Sequence, residues 1–281
     1  MKKQQWILTA AAIVLFCGLY FFGSTINSKK PVISAASTSE QAVPNVSTQD
    51  ILTKSKEGLN PAQLQKLTQL ENSVVRGDVH NQQMHVYHQL ASYWMDTLHN
   101  EEIGAYYTGE AAKLENSEKN LTFAAHLLLD NMLATGDAAM QHWLATQAKE
   151  LFEIALKLNP QNDSSKIGLG ACYMFGNISE NPMQGILAIK EIADKNPNNI
   201  YAQMMLGLGG VQSGQYDKAA ERFLHVLKLQ PNNIEAILNL AQVYDRENDK
   251  TNAIKWYQEA LKYIQVPEAR TEIEARIKSL Q

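Results

Sequence analysis

The sequence predicts an all-α fold, a solenoid of stacked helical hairpins. Three observations carry this. Apolar residues recur at helical spacing from Leu64 through Leu67, Leu70 and Val74. No later segment alternates polar and apolar residues over the length a strand needs. A block of sequence also repeats: Pro197-Asn198-Asn199-Ile200-Tyr201-Ala202 returns 34 residues later as Pro231-Asn232-Asn233-Ile234-Glu235-Ala236. That period fits one helix–turn–helix unit. Such a unit cannot bury its apolar face alone, so neighbours must stack.

The elements follow in order. Residues 6–26, from Trp6 to Ile26, carry no charge. That length crosses the ~30 Å core of a bilayer as a helix, with Trp6 and Tyr20 placed for the two interfaces. Residues 1–27 are therefore expected to be a transmembrane anchor seated in the lipid bilayer. A cleaved leader would have a shorter apolar run and a cut near Ser34-Ala35-Ala36. An acylated leader would use Cys17, but Phe16 stands where a small residue is needed. Lys2 and Lys3 nearly balance Lys29 and Lys30 across the segment. A short N-terminal tail favours the cytoplasm, so the expected location is a bacterial inner membrane, single-pass, with the folded domain on the periplasmic side. Residues 28–59 are rich in Ser, Thr and Ala, contain Pro31 and Pro44, and read as a flexible tether.

Order is expected from Asn60-Pro61, a cap followed by a first-turn proline. Residues 60–120 are read as N-terminal helices with one degenerate unit, marked by Leu90, Ala91, Trp94, Ile103 and Tyr107 and lacking a closing proline. Residues 121–266 hold the regular units. One runs from Thr122 to Pro160 with additional residues after Gly136; the next start at Asp163, Ile200 and Ile234. A proline closes several of them, since it cannot continue the preceding helix but permits a new one. Residues 267–281 are expected to form a capping helix with the stripe Ala269, Ile273, Ile277 and Leu280.

Within the unit from Ile200, Leu206 and Gly207 fall in the first helix, Gly214 in the turn, Ala219, Phe223 and Val226 in the second helix, and Pro231 at its end. This pattern resembles the tetratricopeptide repeat. The resemblance covers about two thirds of the chain, and it implies a superhelix whose first helices line a concave groove. It places the second, fifth, ninth, twelfth and thirteenth positions of each first helix inward. The partner-groove residues so implied are Met174 and Phe175; Tyr201, Met204, Leu208 and Val211; and Leu238, Gln242 and Arg246. Ser164, Ile167, Ala171, Gln212, Glu235 and Asp245 occupy the further inward positions. A groove with an apolar centre and no cluster of Lys and Arg suits a protein or peptide with an apolar face. The competing reading is that these apolar side chains pack only against neighbouring turns.

Composition bounds the function. The 281 residues carry 25 Lys+Arg against 29 Asp+Glu, a net charge of -4, which argues against a nucleic-acid partner. Two cysteines, Cys17 and Cys172, exclude a disulfide framework and a cysteine-cluster zinc site. His85 and His88 share a helix face, with His80 and His99 nearby, but no third ligand or haem-attachment pattern accompanies them. No phosphate loop or nucleophile elbow occurs. No catalytic residue, cofactor or metal is expected. The sequence therefore predicts a membrane-anchored scaffold that holds a protein partner, in assembly or stabilisation of a cell-envelope complex. Two alternatives stand beside it: a component of cytochrome c maturation that holds the apocytochrome, and a self-assembling homo-oligomer.

Overall fold

One four-residue turn, used three times, sets the spacing of the chain. It occurs at Asn159-Pro160-Gln161-Asn162, Asn196-Pro197-Asn198-Asn199 and Gln230-Pro231-Asn232-Asn233. The residue before each proline is held out of the helical region, at φ/ψ of -138/89, -133/85 and -135/86, because the proline ring disfavours the helical conformation there. The amide of the last residue closes each turn by donating to the carbonyl of the first, at 3.2, 3.0 and 3.1 Å. The asparagine that ends each turn then caps the next helix. Asn162, Asn199 and Asn233 accept from the amides of Ser165, Ala202 and Ala236 at 3.0, 3.0 and 2.9 Å. Each bond satisfies one amide that the helix start leaves free.

The computed structural model describes residues 46–76, 80–179 and 181–281. Among them are thirteen α-helices: α1 Thr48–Ser55, α2 Pro61–Arg76, α3 His80–Ser92, α4 Glu101–Glu115, α5 Glu118–Ala134, α6 Ala138–Leu158, α7 Asp163–Phe175, α8 Met183–Lys195, α9 Ile200–Gln212, α10 Tyr216–Leu229, α11 Ile234–Arg246, α12 Lys250–Ala260 and α13 Pro267–Leu280. No strand occurs among the described residues. Consecutive helices from α3 to α12 pair as five hairpins, and each first helix also touches the first helix of the next hairpin from α5 onward.

Close approach within a hairpin is set at one position. Counting from the helix start, Gly170, Gly207 and Ala241 are each the eighth residue of α7, α9 and α11. A Cβ on Gly207 would lie 2.6 Å from the Phe223 ring, and one on Gly170 would lie 2.8 Å from Ile189. Ala241 shares a buried cluster with Tyr257. Phe223 and Ile189 are fully buried, which stabilises each by ~1.5–3 kcal/mol relative to exposure. The regular units thus follow the expected tetratricopeptide packing.

The N-terminal part departs from the sequence reading. Residues 28–59 were expected to be a tether throughout, but order extends back to Ser47. The Ser47 hydroxyl accepts from the Asp50 amide, and Asp50 reaches back to the Ser47 amide, a reciprocal cap. Ile51 of this short helix is buried, and Trp143 Nε1 donates to Thr48 Oγ1 at 3.0 Å. Eight residues with a single buried apolar side chain give too weak a period to recognise; docking on α6 is what holds them. The expected anchor at residues 6–26 lies outside the described residues. Among the described residues no helix is long and apolar enough to cross a membrane.

Between α3 and α4 the chain widens into a π-helical turn, Tyr93–Thr97, with the Leu98 amide donating to the Tyr93 carbonyl at 3.1 Å. Here Trp94 enters the core and Met95 covers Gly104. At the other end, α13 covers the last hairpin. Arg276 makes a two-point ion pair with Asp245 at 2.6 and 2.7 Å, and Arg270 donates to the carbonyls of Leu261 and Ile264 at 2.6 and 2.9 Å. Of its predicted stripe only Leu280 is fully buried; Ala269, Ile273 and Ile277 are half-buried.

Gly207→Val is expected to lower Tm by about 3–10 °C, since overpacking a close contact costs ~1–3 kcal/mol. Gly136→Ala, where nothing lies within 4 Å, serves as the control. Equal melting curves for the two variants would refute the packing account.

Candidate functional site

The first helices α5, α7, α9 and α11 lie side by side and line a cleft of about 550 Å3. Its apolar lining is Leu133 from α5, Ile167 from α7, and Ile200, Met204 and Met205 from α9. Its polar lining is His126 and Asp130, Ser164, Tyr201 and Glu235, together with the cap residues Asn199 and Asn233. No Lys or Arg lines it.

His126 ties three of these helices together. Its Nε2 lies 2.8 Å from Ser164 Oγ on α7, and its Nδ1 lies 3.4 Å from the Tyr201 hydroxyl on α9. Its ring meets Phe152 and Tyr201 edge-on at 5.0 and 5.2 Å. Burial lowers the imidazole pKa, so the ring is neutral at neutral pH and can donate from one nitrogen and accept at the other. Burial also raises the Tyr201 phenol, which stays protonated.

Two carboxylates line the cleft. Asp130 and Glu235 have neither an ion pair nor a side-chain hydrogen bond among the described residues. Their oxygens reach solvent, yet the cleft walls displace part of their hydration. Desolvation raises Asp130, and desolvation followed by repulsion from Asp130 raises Glu235. Glu235 sits in the first turn of α11, where the helix dipole favours negative charge; burial outweighs that. By contrast, the Arg276 guanidinium holds Asp245 below the ordinary range.

The predicted groove residues divide. Tyr201 and Met204 line the cleft, Met204 almost fully buried in its floor. Ser164, Ile167 and Glu235 join them from the other inward positions, whereas Ala171, Gln212 and Asp245 do not line the cleft. Met174 does not: it packs over Gly209 and borders a separate cavity with Ile186 and Lys190. Phe175 is buried, Leu208, Val211 and Leu238 are half-buried, and Gln242 and Arg246 are exposed away from the cleft lining. The early turns of α7, α9 and α11 converge with the later turns of α5. His126 and Asp130 are absent from the predicted groove because the sequence reading assigns inward positions only to the units from Asp163, Ile200 and Ile234; counted from Thr122 they are already the fifth and ninth, both inward. The helix itself starts at Glu118, from which they are the ninth and thirteenth positions, again inward.

The other histidines are engaged separately. His88 pairs with Glu115 at 2.8 Å, His85 contacts Gln89 at 3.1 Å, His80 contacts the Leu114 carbonyl at 2.5 Å, and His99 holds a left-handed turn at φ 52. Among the described residues no group of three or more His, Cys, Asp or Glu could hold a metal. Cys172 is buried, and burial pushes its thiol up to about 12, which removes thiolate character.

Comparison with known proteins supports the fold. The family model described as regulator of microtubule dynamics protein 1-3 matches residues 199–281. No curated protein sequence matches the chain. Among solved structures, the thermophilic tetratricopeptide protein TTC0263 of Thermus thermophilus superposes with a TM-score of 0.52 at 17% identity, covering 70% of this chain and 98% of that one. PilW, described as a type IV pilus biogenesis factor, gives 0.45 at 17%, covering 72% and 94%. YrrB, described as a tetratricopeptide protein with an unusual peptide-binding site, gives 0.41 at 16%, covering 68% and 91%. The first of these likenesses shows the tetratricopeptide-like fold.

His126 predicts a pH dependence. Its folded pKa lies below the unfolded value of ~6.5, so its contribution to stability is present above that value and is lost as pH falls. Protonation of Asp130 and Glu235, raised in the fold, works in the opposite direction at lower pH. Between pH 7 and 5.5 Tm is expected to fall in the native chain and to fall less in His126→Gln. Parallel Tm-versus-pH curves would exclude His126 as the titrating group.

Proposed function

We propose that this protein is a tetratricopeptide scaffold that binds a segment of a protein partner in the cleft between its first helices. The single observation that supports this reading is the cleft: about 550 Å3, apolar at its floor, edged by polar groups, and shared by four successive repeats. The half-buried Leu133, Ile200 and Tyr201 at this surface give contact area to an apolar partner. The scaffold carries no catalysis of its own in this reading; its contribution is to hold and position. The uncharged residues 6–26 support the further proposal that the scaffold is anchored in a bacterial inner membrane, with the repeats on the periplasmic side and the partner a component of an envelope complex under assembly.

Photocrosslinking in the native host tests it. A benzophenone amino acid replacing the exposed Ser164 at the cleft is expected to give a discrete adduct. The same probe replacing Leu187, exposed on α8 outside the cleft, is expected to give none. Tyr201→Ala, introduced with the Ser164 probe, is expected to reduce the adduct by about tenfold, equivalent to ~1.4 kcal/mol of binding. An adduct at Leu187 alone would move the binding surface off the concave face.

A further inference from the structure

We infer that the cleft selects a partner segment that presents a Lys or Arg side chain between aliphatic residues, the cation held by Asp130 and Glu235. This rests on the cleft being the binding surface, and it adds the chemistry of what enters.

Charge complementarity carries the argument. Asp130 and Glu235 come from α5 and α11, the two outer helices of the four that line the cleft. Each is left without a cation among the described residues. Unlike unpaired surface acids such as Glu57, Glu101 and Glu221, the two line one cleft whose walls remove part of their hydration and whose lining holds no Lys or Arg. The groups nearest to them cannot neutralise them. His126 is neutral, and the Ser164 and Tyr201 hydroxyls are engaged with it. The cleft therefore holds two negative charges over an apolar floor.

A small hydrated cation would leave the half-buried Leu133, Ile200 and Tyr201 uncovered. An aliphatic peptide would bring no charge to the carboxylates, and an acidic one would add repulsion. A Lys or Arg side chain meets both demands. Its methylene stem lies on apolar surface while its head reaches the carboxylates, and the Tyr201 ring adds a face for the cation. Neighbouring aliphatic residues cover Leu133 and Ile200.

The test uses the full-length chain in detergent and a random decapeptide phage library. The expected result is enrichment of Lys or Arg at one position flanked by aliphatic residues. The best peptide, labelled with fluorescein, is expected to lose about tenfold or more in affinity when that residue becomes Met, and similarly against Asp130→Asn/Glu235→Gln. Its binding is expected to weaken as salt rises. The double variant removes two uncompensated charges, so its Tm at pH 7 is expected to equal or exceed that of the native chain, which separates lost binding from lost folding.

Enriched peptides that are apolar without a basic residue, or affinity indifferent to the double variant, would overturn the cation while leaving the cleft as the binding surface. Binding that emerges only after Lys29→Ser/Lys30→Ser would make the chain's own Lys29-Lys30-Pro31-Val32-Ile33 the occupant and overturn the external partner. No enrichment, together with no crosslink at Ser164, would overturn both readings.

Discussion

The clearance at the eighth residue of each first helix is the constraint on which the stack depends. At Gly207 there is no room for a methyl group beside the Phe223 ring, and at Gly170 there is none beside Ile189 or the Gly185 carbonyl. Glycine inside a helix costs ~1 kcal/mol relative to alanine. Burying a phenyl or branched aliphatic side chain at van der Waals distance returns more than that. The exchange fixes how closely the helices of a hairpin approach. The same small–large pairing appears with different members: Gly207 with Phe223, Gly170 with Ile189, Ala241 with Tyr257. Two glycines in α7 and α8 compensate for the smaller isoleucine, since the Gly170 and Gly185 backbones meet directly.

Close hairpins then put the first helices of successive units side by side, and the early turns of α7, α9 and α11 with the later turns of α5 make the cleft. The asparagine caps matter here as much as the core. Asn199 and Asn233 fix where α9 and α11 begin and also stand at the edge of the cleft, so the turn that spaces the repeats also sets the distance between Tyr201 and Glu235. The cleft is a costly surface. Two carboxylates lose hydration without gaining partners, and a histidine is held neutral by burial. Interactions of this kind oppose folding when the chain is alone, and a complementary ligand relieves them.

The degenerate N-terminal units keep the packing by other means. A π turn at Tyr93–Thr97 carries Trp94 into the core, where its indole N–H has no partner among the described residues. Leaving a buried donor unmade costs ~1–3 kcal/mol, which the buried ring area offsets. Gly104, Gly109 and Gly168 still admit Met95, Leu151 and Phe152 to close contact, so the small–large principle outlasts the repeat pattern that announced it. Tyr87, Tyr106 and Tyr107 fill the wider spaces, with Tyr106 and Tyr107 at 5.1 Å centre to centre and Tyr106 at 5.4 Å from Trp143.

The sequence by itself determined the all-α class, the 34-residue period, the starts of α7, α9 and α11 at Asp163, Ile200 and Ile234, and the closing helix from Pro267. These are local properties: a proline fixes its own φ and restricts its predecessor, an asparagine caps the helix it precedes, and an apolar period belongs to one face. Tertiary structure decided what no local rule contains. It drew Thr48–Ser55 out of the expected tether by docking Ile51 and Thr48 against the later helices. It buried Met174 and Phe175, which counting alone had turned toward a partner. It also brought His126 and Asp130 of α5 to the same cleft as Tyr201 and Glu235, far along the chain. Which side chains share a surface depends on how the hairpins stack, and the stacking follows from side-chain volumes summed over neighbouring helices rather than from any one stretch of sequence.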